Sequence, residues 1–191
     1  MDNPTVEKTP TTGQNRRSFP VAAMLLAVVI LGGFLLFLYF GLQRTYQGPV
    51  TVGEPVKPFA LQTFDGQIIN TSEQMDKVIL INFWASWCKP CESEAGYLQK
   101  AWEYYQPGGE VLFLGVDYVD TEPEALASIQ KFGITYPNGP DLGTRISQEF
   151  RIRGVPETYI IKKDGTLASI QIGPYSSLQD IRNKIDPLLQ E

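Results

Sequence analysis

Apolar positions along this chain follow three patterns. The first is an unbroken run. From Phe19 to Leu42 no residue is charged and none has a strongly polar side chain. At about 1.5 Å per residue, a helix over this run crosses a hydrocarbon core of about 30 Å. It ends in Phe37-Leu38-Tyr39-Phe40-Gly41-Leu42, bulky and aromatic. A cleaved signal peptide has a shorter apolar region, about 7–15 residues, and small residues at its end. The run therefore predicts an uncleaved transmembrane anchor, with Tyr39 and Phe40 at the far interface.

The second pattern is short and continuous. Val78 to Ala85 is broken only by Asn82, and Val111 to Val116 is unbroken. Such runs suit central parallel strands buried on both faces. Phe59 to Phe64 predicts a strand, Asp65-Gly66 a tight turn and Ile68-Ile69 the return strand. Glu157 to Lys162 and Leu167 to Ile172 predict a hairpin around Asp164-Gly165.

The third pattern has helical period. It runs from Cys88 to about Tyr105, where Pro107-Gly108-Gly109 stops it. Glu122 to Phe132 has Pro123 near its start and Gly133 after its end. A short helix is expected from about Thr144 to Phe150. Ser177 to Leu189 is amphipathic, with Ile181, Ile185 and Leu188 on one side. Ser72 is expected to cap a short helix through Met75, and Tyr136 to Asp141 reads as an irregular turn. The order β-β-α-β-α-β-α-α-β-β-α predicts an α/β domain, a central mixed sheet flanked by helices. Ligands of such sheets collect at the carboxyl ends of the strands.

Composition divides the chain further. Residues 1–18, rich in Thr, Asn, Pro and charge, read as a disordered tail. Residues 19–42 form the anchor, 43–53 a polar linker and 54–191 one domain of ordinary size. Lys8, Arg16 and Arg17 precede the anchor, whereas Arg44 follows it alone until Lys57. The positive-inside rule then places the N-terminus in the cytoplasm and the C-terminal domain outside the cell membrane. From residue 43 onward there are 13 basic and 19 acidic side chains, which argues against a nucleic-acid partner.

Candidate chemistry lies in Trp84-Ala85-Ser86-Trp87-Cys88-Lys89-Pro90-Cys91, where a buried strand turns into a helix. Cysteines three apart share one face of the first turn. Free N–H groups and the positive helix end favour thiolate at Cys88. A thiolate attacks disulfides. The expectation is a thiol–disulfide oxidoreductase in which Cys88 attacks and Cys91 resolves. A zinc site needs two more soft ligands, and the chain has no other cysteine and no histidine. A bridge used only as a staple would close a longer loop. No metal and no cofactor beyond a redox-active Cys88–Cys91 disulfide are expected.

The stretch Asn82-Phe83-Trp84-Ala85-Ser86-Trp87-Cys88-Lys89-Pro90-Cys91 resembles the active site of thioredoxin-like proteins. Gly154-Val155-Pro156-Glu157-Thr158-Tyr159-Ile160-Ile161 resembles their cis-proline loop. With its N-terminal anchor, the chain is similar to the membrane-tethered TlpA/ResA/CcmG (DsbE) group over roughly residues 54–191. The Pro-Glu-Thr form of the second motif is most similar to CcmG. This resemblance implies a thioredoxin-like fold, with Trp87, Lys89 and Pro90 in the active-site loop. Pro156 would lie against the sulfurs, and the Val155 backbone would pair with an incoming peptide strand. Glu157 matches the acid of the CcmG-like loop. Glu94 matches an active-site glutamate that opposes thiolate formation and shuttles a proton. Asn82 departs from the buried aspartate of ordinary thioredoxin, which leaves Glu94 as the available base. Residues 118–138 are similar to the helix-bearing insert of the group.

The same resemblance implies reductase activity on protein disulfides. The expected partners are apocytochrome c, whose haem-attachment cysteines must be reduced, and a membrane thiol donor of the CcdA/DsbD type. A broader extracytoplasmic reductase, for instance one serving copper-site assembly, is the alternative enzyme. A Cu(I) chaperone binding through Cys88 and Cys91 is the alternative of another class, since two thiolates suffice for Cu(I).

Overall fold

The computed structural model describes residues 21–45 and 50–190, with the side chains of 42–45 left out. The tail expected over 1–18, the start of the expected anchor, residues 46–49 of the linker and Glu191 lie outside the described residues. The chain divides into two units, Met1–Gln47 and Gly48–Glu191. In the first, α1 (Val21–Thr45) is a single helix. Its Val21–Gly41 portion is long and apolar enough to cross a membrane.

The second unit contains β1 (Ala60–Gln62), β2 (Ile68–Asn70), β3 (Val78–Trp84), α2 (Lys89–Tyr105), β4 (Val111–Asp117) and α3 (Glu122–Phe132). After these come β5 (Asn138–Pro140), α4 (Arg145–Phe150), β6 (Glu157–Ile161), β7 (Leu167–Ile172) and α5 (Leu178–Ile185). Five strands make one mixed sheet in the order β5-β4-β3-β6-β7. β3, β4 and β5 run parallel; β6 and β7 are antiparallel additions. β1 and β2 form a separate hairpin.

Strand alternation distributes the core. Val78 and Leu80 pack with Leu98, Trp102, Phe113 and Ile181 in one cluster. Ile79, Ile81 and Phe83 pack with Leu114, Phe150 and Tyr159 in another. Both faces of β3 are thus buried, which is why its sequence is an apolar run rather than an alternation. The polar Asn82 falls on the face of Val78 and Leu80, the face that α2 covers. α3 ends as its glycine predicts. Gly133 adopts φ 63° and its N–H bonds back to the Ile129 and Gln130 carbonyls.

Three expectations are corrected. Residues 136–141 are not simply an irregular turn, because Asn138–Pro140 is an edge strand in register with Gly115–Asp117. Asn-Gly-Pro carries no strand propensity, and the segment is held by backbone bonds from Gly115 N to Pro137 O and from Asp141 N to Asp117 O, both 2.8 Å. Pro140 is tolerated because the strand is an edge. The short helix expected from Ser72 is a 3-10 turn over Thr71–Gln74. The last α-helix stops at Ile185 and continues as a 3-10 turn over Asp186–Leu189, as Pro187 demands.

β5 also explains how the hairpin is seated. Phe64 N donates to Asn138 O at 2.8 Å. A Cβ at Gly139 would lie 2.1 Å from the Gln62 carbonyl oxygen. That neighbour is backbone, so it cannot swing aside. Gly139→Ala should lower stability by about 1–3 kcal/mol through overpacking, read as a lower denaturant midpoint; an unchanged midpoint would show that the hairpin does not constrain β5.

Candidate active site

β3 delivers Trp84 to the carboxyl end of the sheet, and the chain turns at once into α2. Cys88 is the N-cap of that helix, in an extended conformation at φ −85° and ψ 101°. Its Sγ accepts the Cys91 N–H at 3.1 Å. The sulfur thus takes the place that a serine or aspartate oxygen fills in an ordinary cap. Pro90 lies in the first turn, where a missing N–H leaves no bond unmade. Cys88 and Cys91 are joined as a disulfide with Cα atoms 5.3 Å apart. In this bridged form Cys88 is 3% and Cys91 6% exposed, so exposure does not separate an attacking from a resolving thiol. The two sulfurs differ in the cap geometry: Cys88 Sγ receives the Cys91 N–H at the positive end of α2.

The expected loop residues surround this pair. Trp87 is exposed, and its indole N–H donates to Val119 O at 3.3 Å. Lys89 is exposed and pairs with Glu92 at 3.0 Å. Lys131 reaches the other Glu92 oxygen at 3.3 Å, and the two lysines hold that carboxyl below its usual pKa. The Val155–Pro156 peptide is cis. Val155 packs against the cluster that contains both cysteines.

Glu94 is two residues from Glu92, yet it is only 1% exposed. One oxygen accepts the Asn82 amide at 2.9 Å and the other accepts the Tyr175 N–H at 2.9 Å. Burial disfavours its charged form, the two donors favour it, and burial prevails: the pKa rises from 4.5 to about 7. Asn82 gives its second amide hydrogen to Thr158 Oγ1 at 3.0 Å. A cavity of about 20 Å³, room for one water, is lined by Asn82, Cys91 and Tyr136 among others.

Glu157 lies elsewhere. It is the strand neighbour of Thr158, so its side chain takes the opposite face of β6. Its carboxylate accepts the Arg153 N–H and the Tyr159 hydroxyl, each at 2.8 Å. It braces the loop before Pro156 and is not part of the Asn82–Glu94 group.

Sequence reasoning missed Asp117 and Asp120. Asp117, at the end of β4, is in register with Trp84 and buried. Asp120 accepts the Ser86 N–H at 2.6 Å. A charge closing an apolar parallel strand at its carboxyl end was the available signal for Asp117. Tyr175 acts through its main chain, which leaves no side-chain signal.

The profile of the AhpC/TSA family matches residues 52–170. The thiol-disulfide oxidoreductase ResA of Geobacillus thermodenitrificans is 27% identical over 176 residues, covering 92% of this chain and 97% of that protein. ResA of Bacillus anthracis is 27% identical over 177 residues, covering 91% and 99%. Among solved structures, a thiol:disulfide interchange protein of the thioredoxin family from Chlorobium tepidum superposes with TM-score 0.65 and 23% identity, covering 75% of this chain and 98% of that one. StoA from Bacillus subtilis superposes with TM-score 0.60 and 21% identity, covering 71% and 98%. These two establish the thioredoxin-like fold. A profile match over more than half of the chain, on a fold that places a helix-capping cysteine pair at the carboxyl end of a mixed sheet, means that the chain belongs to the AhpC/TSA family, as a thioredoxin-like thiol-disulfide oxidoreductase.

Proposed function

We propose that the protein works as an extracytoplasmic reductase of protein disulfides, with apocytochrome c as substrate and a membrane thiol donor of the CcdA/DsbD type as its electron source. The observation that carries the direction of the reaction is the buried carboxyl of Glu94, three residues after Cys91 on α2. An anion beside the dithiol disfavours thiolate. A less stabilised reduced form gives up its electrons more readily.

Exchange needs no cofactor. The Cys88 thiolate attacks one sulfur of the partner disulfide, forming a mixed disulfide and releasing a partner thiolate that takes a proton. The Cys91 thiol then gives its proton to Glu94 and attacks the Cys88 sulfur. The Cys88–Cys91 bond forms, the mixed bond breaks, and the second partner thiolate leaves and is protonated. The partner gains two electrons and the dithiol loses two. Asn82 cannot accept a proton, so Glu94 is the base within reach of the helix.

Three outcomes test this reading. Glu94 holds its proton more tightly folded than unfolded. Its contribution to stability is therefore complete below about pH 4.5 and lost as pH rises through about 7. In urea titrations of the oxidised chain, Glu94→Gln should flatten that decline by on the order of 3 kcal/mol. The same variant should show a lower cysteine pKa by thiolate absorbance and partner reduction slowed about tenfold or more at neutral pH. Unchanged titration and rate would make Glu94 a structural residue only.

Second, reduced Cys91→Ala should trap a mixed disulfide through Cys88 with an apocytochrome c peptide carrying a Cys-x-x-Cys-His segment. Capture of unrelated protein disulfides with equal yield would replace the proposed substrate by the broader reductase. Third, α1 is proposed as a single-pass anchor with the N-terminus in the cytoplasm. Protease added outside intact cells should degrade the C-terminal domain; protection until permeabilisation would reverse the orientation.

A further inference from the structure

Four consecutive residues, starting with the last of β4, address the active-site loop. Asp117 stands beside Trp84 in the sheet register. Tyr118 N donates to Trp84 O at 2.8 Å. Val119 O accepts the Trp87 indole N–H at 3.3 Å. Asp120 Oδ2 accepts the Ser86 N–H at 2.6 Å, and its Oδ1 accepts the Thr121 N–H at 2.8 Å. Val119 makes its contact from φ 48°, a left-handed conformation that a β-branched residue adopts only when its surroundings impose it. Something must hold this segment against that strain.

Asp117 is the unexplained member. It is 1% exposed, and neither carboxyl oxygen receives a hydrogen bond from any N–H or O–H among the described residues. An ionised carboxylate there would be a buried anion with no donor. Asp120 lies within side-chain hydrogen-bonding reach of it and is the charge that acts on it. Two carboxylates in contact cannot both ionise without strong repulsion, so the pair shares a proton. Asp120 already takes an N–H on each oxygen, which makes it the acceptor. Asp117 then donates its O–H, and its burial is satisfied.

The other charged groups nearby are spoken for. On the β5 side, Asp141 turns its carboxylate to the Ile146 and Ser147 N–H groups. On α2, Glu92 is held by Lys89 and Lys131, and Glu94 by Asn82 and Tyr175. On α3, Glu124 accepts the Thr121 hydroxyl, and Glu122 lies exposed in the first turn. Tyr118 lies between the two acids in the chain, and Cys88 and Cys91 become titratable once reduced.

We propose that Asp117 and Asp120 form a proton-sharing acid pair that positions the Ser86–Trp87–Cys88 segment, and that loss of the shared proton releases it. Both are positioning residues, since they act on the sulfurs through the loop backbone. When the proton leaves, two like charges face each other in a buried site. Asp117 is fixed in the sheet register, so the repulsion falls on the connection that carries Asp120, and a shift there takes the Ser86 contact and the Val119–Trp87 contact with it. Burial first, then the Asp120 charge, pushes Asp117 up to about 8, so release falls on the alkaline side of neutrality. It is a proton step separate from that of Glu94, which lies lower and on another element.

The positioning role rests on the exchange reading above, but its main test does not. Tryptophan emission of the oxidised full chain in detergent would be followed from about pH 6 to 9.5, with Trp84 and Trp87 as reporters at the loop. Wild type should show a transition near pH 8. Asp117→Asn, which keeps a donor for Asp120 but cannot ionise, should lose it. Asp120→Asn should move it to lower pH, because the like charge is gone while the burial remains. Glu94→Gln should keep it in place. The pH profile for reduction of the Cys88–Cys91 bridge by dithiothreitol should bend at the same pH in wild type and not in Asp117→Asn. Absence of the transition in wild type, or its persistence in Asp117→Asn, would overturn the proposal. If Asp117→Asn fails to fold, a transition that does not move in Asp120→Asn overturns it equally. A transition that behaves as expected while partner reduction is absent would leave the acid pair standing and remove the function built on it.

Discussion

The amide of Asn82 ties together the three elements on which the dithiol depends. One hydrogen reaches Glu94 on α2 and the other reaches Thr158 on β6, from a side chain that itself belongs to β3. The helix that carries both cysteines is thereby fixed against the strand that precedes them. Glu94 extends the link to Tyr175, beyond the end of β7. An aspartate at position 82 would oppose this arrangement, since a second acid would face the first at hydrogen-bonding distance in a buried site. A neutral donor lets one carboxyl be buried there without a neighbouring anion. Glu94 accepts two donors, and burial nevertheless raises its pKa to about 7.

Much of this fold is legible in the sequence because the central strands are buried on both faces. Val78–Trp84 and Val111–Asp117 have no solvent side, so apolar residues crowd together and mark them. β5 is illegible for the opposite reason. Asn138-Gly139-Pro140 joins the sheet through its backbone, and Gly139 is small because the Gln62 carbonyl occupies the space of a side chain. No hydrophobic pattern can announce such a strand.

Legibility of the site divides along the same line. Cysteine spacing and the strand-to-helix junction are enough, as sequence, to point to the chemistry. The acids do not sort themselves. Glu92 and Glu94 differ by two positions on α2, about 200° around the helix axis. The first meets two lysines at the surface and the second meets Asn82 in the interior. Glu157 and Thr158 differ by one position on a strand, and that single step sends Glu157 to Tyr159 and Arg153 while Thr158 faces Asn82. A motif gives the residue, but the face it takes follows from the element it rides on.

The buried acids at this end of the sheet share one physical task. Glu94 accepts Tyr175 N–H, Asp120 accepts Ser86 N–H, Asp141 accepts Ile146 and Ser147 N–H, and Glu157 accepts Arg153 N–H. Tyr175, Ser86 and Arg153 lie in connections between regular elements, where a buried backbone donor has no ladder partner and must be satisfied by a side chain. Carboxylates do this well, because a charged acceptor makes a stronger bond than a neutral one. Among the described residues Asp117 has no such donor, and a proton would offset its burial. The same construction that holds the loops around the disulfide therefore leaves two acids able to change charge near neutral pH: Glu94, where burial outweighs its donors, and Asp117, where donors are lacking. One sits on the helix that carries Cys91, and the other sits beside the strand end that leads to Cys88. A proton on the first changes the charge carried by the helix of Cys91, and a proton on the second changes the charge at the strand end before the active-site loop.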